Sequence, residues 1–153
     1  MIQFDGNILD VRAGIICHIA DNDGNMPEKV SNSIKEKWPI VKSEYLSTYI
    51  DHDLKLGEVI FTNVDPNNFN LQVATMICKD KSYYTKMDYQ ALMDYQAFRK
   101  CIRKVSIWSE TCANGTLPVY IPFDIVCKAN WRIISNIIEK RIPKVIVIKE
   151  DRS

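Results

Sequence analysis

Short runs of apolar, β-branched residues alternate with longer polar and amphipathic stretches along most of this chain. A strand of a covered sheet reads as about four to eight apolar residues, whereas a helix repeats an apolar residue every three or four positions. Because the two patterns alternate, the sequence predicts a single α/β domain, residues 1–153, with a mixed sheet between helices. The predicted strands are 15–20, 58–64, 71–77, 119–126 and 144–149.

Three helices are predicted between these strands. Pro27 suits the first turn of a helix, where its missing N–H is not needed, and an apolar face follows it as far as Trp38. A second helix is predicted over residues 88–110, with apolar residues on one face. A third follows Trp131 and carries three isoleucines on one stripe.

Composition narrows the range of partners and locations. The 153 residues include 20 Lys and Arg against 19 Asp and Glu, so the chain as a whole has no strong basic field, and a nucleic-acid partner is not expected. Residues 1–5 lack the character of a secretion signal, and no apolar run is long enough to cross a bilayer. We therefore expect a cytoplasmic protein without a membrane partner, in the host cytoplasm if its source is viral.

The cysteines and acidic residues do not form a recognisable metal or disulfide pattern. Five cysteines are scattered along the chain without a C-x-x-C pair, which suits a reducing compartment. A calcium loop at residues 21–24 is excluded because Ile19 and Val30 stand where acidic ligands are needed. Neither a metal nor another cofactor is expected.

Three short segments carry a resemblance to a known family. Together they resemble the ADP-ribose-binding macro domain, and the resemblance covers nearly the whole chain. It implies a three-layer fold with a mixed β-sheet between helices and a nucleotide ligand related to ADP-ribose. The segments are Gly6-Asn7-Ile8-Leu9, Ile16-Cys17-His18 followed by Gly24-Asn25-Met26-Pro27, and Val119-Tyr120-Ile121-Pro122 followed by Asn130-Trp131.

The first segment implies a base-binding position. The family has G-D-[IL] here, and its Asp accepts a hydrogen bond from the adenine amino group. Asn7 stands at that position, followed by Ile8. The Asn oxygen can also accept from an amine, although without a charge. A turn residue after Gly6 is an equally weighted interpretation of Asn7.

The second segment implies a ribose-binding position. His18, Gly24 and Met26 keep the frame of the family pattern H-x-x-N-x-x-G-x-M-G-x-G, and they are carried over as ligand-binding candidates. Asp21 replaces the Asn that meets the distal ribose, so a ribose hydroxyl is the expected partner of Asp21. For His18, a strand histidine near the pocket is the commoner alternative.

The same segment departs from the family where phosphate should bind. Pro27, Glu28 and Lys29 replace G-x-G. Glycines let the backbone approach a ligand, and proline also removes an N–H donor. Glu28 adds a negative charge beside the expected diphosphate, and only Lys29 is available nearby to offset it. Lys29 is the predicted phosphate ligand.

The third segment has lost the family's glycine-rich loop, which wraps the diphosphate with backbone amides. The stretch after Pro122 is three residues shorter and contains no glycine. Phe123 can stack on a base or belong to the core, and these alternatives have equal weight. Lys128 can neutralise a phosphate through its side chain, and Val126 and Cys127 complete the predicted ligand-binding set.

The second predicted helix also has a counterpart in the family, whose helix opens with T-D-Y-x-A-L. A near-duplication of six residues covers 87–98, and its second copy places Asp94 and Tyr95 at the family's helix start.

A catalytic role is implied only by one branch of the family. Macro domains of the terminal-ADP-ribose glycohydrolase type lack the ribose Asn and use a Lys nucleophile together with an Asp. Lys79 lies near the position of that Lys, and Asp21 is the second catalytic candidate, although the matching Asp of the third loop is missing. A solvated lysine in a polar loop is the commoner interpretation of Lys79.

Two classes of function remain open from the sequence. The first is recognition of ADP-ribose or a related nucleotide derivative, with ADP-ribosyl hydrolase activity as an extension. The second is a non-catalytic protein of the same fold, either a viral or phage sponge for a nucleotide signal or a protein-interaction module.

Overall fold

The computed structural model describes most of the chain, including every element needed to place the site. The described residues are 1–26, 28–67, 69–84, 91–111, 116–127 and 130–150, and the side chains of 81–84, 91–92 and 126–127 lie outside the description.

One mixed sheet organises the described residues. Six strands run in the order β1-β7-β6-β2-β4-β3, and β5 pairs with the far end of β4. Pairing is parallel throughout except where β3 and β5 run antiparallel to β4. The strands are β1 Ile2–Gly6, β2 Gly14–Asp21, β3 Val59–Asn63, β4 Leu71–Tyr84, β5 Ala91–Met93, β6 Val119–Pro122 and β7 Ile146–Glu150.

Helices cover both faces of this sheet, which confirms the predicted layered α/β fold. Helices α3 and α5 pack on one face, and α1 and α2 pack on the other. The helices are α1 Lys29–Lys37, α2 Pro39–Asp51, α3 Tyr95–Thr111, α4 Phe123–Cys127 and α5 Trp131–Arg141, and a 3₁₀ turn covers Ile8–Asp10.

Strand β2 lies at the centre and is buried along its whole length. Ile15 and Ile19 pack into the core beneath α3 and α5, whereas Ile16 packs with Ile34 of α1 and Val41 of α2. A parallel strand that is covered on both faces needs apolar residues at successive positions. This burial explains why residues 15–20 are apolar except for His18.

Three predicted boundaries were wrong. The predicted strand 71–77 continues to Tyr84 as β4. The predicted strand 119–126 ends at Pro122, and α4 begins at Phe123. The predicted helix 88–110 begins only at Tyr95, because Ala91–Met93 forms β5. Residues 85–90, which include most of the first copy of the near-duplication, lie outside the described residues.

The helix start implied by the family resemblance is confirmed. Asp94 caps α3, since its Oδ1 accepts a hydrogen bond of 2.9 Å from the Ala97 N–H.

The sequence patterns did not identify β1, β5 or α2. Helix α2 begins at Pro39, which occupies the first helical position, where a proline is tolerated.

Within the part of the chain that the structure describes, no helix combines the length and hydropathy that a bilayer crossing requires.

Candidate functional site

The carboxyl ends of five strands meet at one edge of the sheet. Strands β1, β7, β6 and β2 are mutually parallel neighbours, and the first part of β4 runs parallel to β2. In open α/β sheets, ligands bind in the crevice beyond the carboxyl ends of the strands. Asn7 and Phe123 follow two of these strands, Asp21 ends β2, and Lys79 is the last residue of β4 that pairs with β2. All four are sequence-predicted site residues.

A cleft of about 70 Å³ opens at this edge between the end of β1, the first turn of α1 and the start of α4. It is smaller than the roughly 300–1,000 Å³ of pockets that hold whole drug-sized ligands, so it has room for only part of a ligand of that size. Four sequence-predicted ligand residues line it: Asn7, Ile8, Lys29 and Phe123.

Asn7 has a clear structural role in this cleft. Its Oδ1 accepts a 2.9 Å hydrogen bond from the Leu9 N–H and caps the 3₁₀ turn. The interpretation of Asn7 as a turn residue is therefore confirmed. An amide oxygen carries two lone pairs, so one remains for a donor such as an adenine amine. Ile8 is buried and packs mainly in the core beneath α1.

Phe123 belongs to both the core and the cleft. It is partly buried and packs against the core on the α3 and α5 side. It also lines the cleft, and the Lys149 Nζ lies 5.4 Å from the centroid of its ring. A cation at that distance is attracted to the negative face of an aromatic ring. The ring is thus held in place from two sides.

The start of α1 contains a buried ion pair. The Lys79 Nζ contacts the Glu28 carboxylate, and the two residues are only 7% and 5% exposed. Lys79 of β4 offsets the Glu28 charge, so the predicted offset by Lys29 was wrong. Lys79 is likewise not a solvated loop residue, since it lies in a strand. Lys29 lines the cleft instead.

Asp21 orders the turn that follows β2. Its Oδ1 accepts hydrogen bonds from the Asn25 N–H at 2.9 Å and the Asp23 N–H at 3.2 Å, and its side chain is buried. Tyr45 donates its hydroxyl proton to the Asp21 backbone carbonyl at 2.6 Å. The role of Asp21 described by these contacts is to close a loop.

The same turn contains Gly24, which has a φ of 94° and lies against the Tyr49 ring. Met26 is buried with Tyr45 in the core beneath α2. The cleft lining does not include Asp21, Gly24 or Met26. The structure thus places these predicted ligand residues in the loop beside the cleft and not on its described wall.

His18 lies inside the molecule beneath α1. Its Nδ1 is 2.9 Å from the Ser31 Oγ, and its Nε2 is 2.6 Å from the Thr75 Oγ1. Burial, assisted by the nearby Lys35 ammonium, lowers the pKa of His18 to about 3. The imidazole is therefore neutral at pH 7 and is engaged at both nitrogens.

Several lining residues were missed by the sequence analysis. The polar residues Ser33, Asp124 and Glu150 also line the cleft. Glu150 had a usable signal, because it follows the predicted strand 144–149 and so stands at the carboxyl edge. Four predicted positions cannot be placed in this way: Pro27 and Lys128, together with the side chains of Val126 and Cys127, lie outside the described residues.

Among the described residues, no three His, Cys, Asp or Glu side chains are grouped so that they could hold a metal ion.

Comparisons with known proteins identify the fold. No protein-family model matches the chain, and no curated protein sequence matches it. A Bacteroides thetaiotaomicron protein is similar in structure with a TM-score of 0.79 at 22% identity, and the match covers 99% of each chain. A macrodomain protein from Streptomyces coelicolor is similar with a TM-score of 0.75 at 20% identity, again over 99% of each chain.

A macrodomain from Trypanosoma brucei, solved in complex with ADP-ribose, is also similar. Its TM-score is 0.63 at 14% identity, and the match covers 97% of this chain and 62% of that one. At sequence identities this low, structural similarity establishes the architecture of the chain and does not establish its ligand. With the sheet order and the two helical layers described above, these similarities show that the chain has the macrodomain fold.

Proposed function

We propose that the protein binds ADP-ribose or a closely related adenine nucleotide derivative in the cleft beside the start of α1. The observation that carries the proposal is the convergence of Asn7, Lys29 and Phe123 on one cleft at the carboxyl edge of the sheet. A structural neighbour with the same fold was solved with ADP-ribose, which supports the same ligand class here.

The adenine end of the ligand is assigned to Asn7 and Phe123. The Asn7 oxygen has a lone pair left for the adenine amine, and the Phe123 ring offers an aromatic surface for stacking. Because Phe123 also packs on the core, its ring is positioned before the ligand arrives, which reduces the entropy lost on binding.

The phosphates are assigned to Lys29 and the first turn of α1. A helix start carries a partial positive charge and free N–H groups, and Lys29 adds a full charge at the same place. The pairing of Glu28 with Lys79 supports this assignment, since it neutralises one carboxylate at the start of α1, while the carboxylates of Asp124 and Glu150 also line the cleft and limit the phosphates to its Lys29 side.

Binding without cleavage is favoured over hydrolysis. A lysine acts as a nucleophile only as the free amine, and the Lys79 ammonium is held by the Glu28 carboxylate in a buried ion pair. A protein that binds this ligand without breaking it would sequester a nucleotide signal.

Isothermal titration calorimetry with ADP-ribose and with adenosine tests the binding site. We expect Lys29→Ala to weaken ADP-ribose binding about tenfold, or ~1.4 kcal/mol, and to leave adenosine binding unchanged, because only the former carries phosphate. Lys42→Ala is the matched control, since Lys42 is an exposed lysine of α2 outside the cleft lining. Wild-type protein that is folded by circular dichroism but releases no heat with ADP-ribose would refute the proposal.

A second measurement separates binding from cleavage. We expect no release of ADP-ribose when the protein is incubated with an ADP-ribosylated protein substrate. Release that is abolished by Lys79→Met in a folded variant would contradict the non-catalytic assignment and would make Lys79 the reacting group.

A further inference from the structure

A second concave surface lies between α3 and α5, on the sheet face opposite α1 and α2. This groove has a volume of about 410 Å³. Arg99 of α3 and Arg132, Lys140 and Arg141 of α5 line it, with Asn136 and Ile133 between the cations. It shares no lining residue with the nucleotide cleft among the described residues.

The positive charge of the groove is not compensated locally. No salt bridge joins any of the four cations to a described carboxylate, and the described lining contains no acidic side chain. Helices α3 and α5 together contain seven Lys and Arg residues but two Glu, whereas the rest of the chain contains 13 Lys and Arg and 17 Asp and Glu. The near-neutral total therefore conceals a basic face.

The side chains of the groove and their spacing suit a series of phosphates. Three of its four cations are arginines, whose planar guanidinium forks bind phosphate with two parallel hydrogen bonds. The cations are also spread along one side of α5, since the eight-residue step from Arg132 to Lys140, with Asn136 between them, covers about 12 Å. A row of cations of that length matches a chain of repeated phosphates and not a single anion.

We propose that the groove between α3 and α5 binds the phosphodiester backbone of a nucleic acid strand. The described lining contains no aromatic ring on which a base could stack, so contacts fall on phosphates and carry no sequence preference. This inference stands independently of the nucleotide cleft and reverses the expectation, drawn from net charge, that the protein has no nucleic-acid partner.

Fluorescence anisotropy of the full chain with a labelled oligothymidylate of about 16 nucleotides tests the proposal. A duplex of the same length is the second probe, and it distinguishes single-stranded from double-stranded backbone. The test variant is Arg99→Glu with Arg132→Glu. Arg132 lies in the first turn of α5, where an acidic residue is favourable, and Arg99 is an exposed residue directly after the first turn of α3. The matched control, Lys42→Glu with Lys55→Glu, makes the same charge change at exposed lysines outside the groove.

We expect the wild-type protein to bind at least one probe, and the groove variant to bind at least tenfold more weakly than the control variant. Between ~50 and ~200 mM salt, the groove variant should show a salt slope about two units shallower, one for each phosphate contact removed. Equal losses in the two variants, or no wild-type binding at ~50 mM salt, would overturn the proposal. Competition by polyglutamate as strong as that by unlabelled oligothymidylate would overturn it in favour of an acidic protein partner.

Discussion

The environment of His18 determines which of its nitrogens carries the proton. The Ser31 hydroxyl donates its only proton to the Ile19 carbonyl at 3.3 Å, so Ser31 accepts from Nδ1–H of the imidazole. Nε2 then accepts from the Thr75 hydroxyl. This assignment follows from the hydrogen-bond network, and it leaves no uncompensated polar atom on the ring.

The depressed pKa of His18 predicts a loss of stability in acid. His18 titrates near pH 3 when folded and near pH 6.5 when unfolded, so between these values only the unfolded chain takes up the proton. The contribution of neutral His18 to the free energy of unfolding is complete above pH 6.5 and is lost as the pH falls toward 3. We expect the free energy of unfolding, measured by urea denaturation, to fall by about 2 kcal/mol from this residue between pH 7 and pH 5.

Two variants make the measurement specific to His18. In His18→Gln the fall between pH 7 and pH 5 should shrink, because the side chain no longer titrates. His52→Gln is the control, since His52 is exposed and its hydrogen bond to Glu58 raises its pKa, which acts in the opposite direction. An unchanged pH dependence in His18→Gln would show that other groups cause the acid sensitivity.

The Glu28–Lys79 pair shows how a single contact changes the interpretation of two residues. From the sequence alone, Glu28 is interpreted as a charge that repels phosphate, and Lys79 is interpreted as a candidate nucleophile. In the folded protein the two opposite charges compensate each other. Removing either partner would leave the other charge buried and uncompensated. The pair links the start of α1 to β4, across 51 residues of sequence.

At the scale of elements, the start of β2 depends on one glycine. Gly14 has a φ of 129°, and its N–H donates to the Asn70 carbonyl at 2.6 Å as the strand enters the sheet. An added Cβ would lie 2.6 Å from the Pro118 carbonyl oxygen and 2.7 Å from the Tyr120 ring. Both the backbone conformation and the available space therefore require glycine.

We expect Gly14→Ala to lower the free energy of unfolding by at least ~2 kcal/mol, since a non-glycine residue is strained there and the nearest atom belongs to the backbone. Urea denaturation at pH 7 measures the loss. Gly6→Ala is the control, because nothing lies within 4 Å of its added Cβ. Equal stability of the two variants would mean that β2 can shift to accept the side chain.

Element prediction succeeded where periodicity was long and failed where it was short. The three isoleucines of α5 and the apolar face of α3 extend over several turns, so their helical period is readable. Strand β1 is mostly exposed and α4 has five residues, which leaves too few positions to define a period. Trp38 separates α1 from α2. A proline such as Pro39 is found both after a helix end and at a helix start, so the sequence pattern alone does not distinguish the two.

At the scale of the molecule, the sheet order predicts a gradient of local stability. Strand β2 lies between β6 and β4 and is buried throughout, whereas β1 lies at the edge, pairs with β7 and is largely exposed. Amides that open only with global unfolding exchange slowest. By hydrogen exchange followed by NMR, we expect the β2 amides to be protected at least tenfold more than those of β1, or ~1.4 kcal/mol. Equal protection would mean that the sheet opens as one unit.

The candidate site was predictable in part because the family motifs marked Asn7, Lys29 and Phe123 as ligand positions. Asn7 follows β1, which was not predicted, and Phe123 begins α4 inside the predicted strand 119–126, so the predicted elements alone did not bring these residues to one edge. Asp21, Gly24 and His18 are in the same segment, yet the structure turns them into the loop and the core. The family motif marks positions along the chain, whereas tertiary packing decides which side chains face the cleft.

The sequence by itself determined the layered α/β architecture, the central buried strand and the macro-domain resemblance, because these depend on local period and on short motifs. Tertiary structure alone decided the Glu28–Lys79 pair, the neutral His18 and the gathering of Arg99 with Arg132, Lys140 and Arg141. Each of these joins residues from different elements that are far apart in sequence. Periodicity reports only on near neighbours, and the charges and burial that determine function depend on contacts formed when the chain folds.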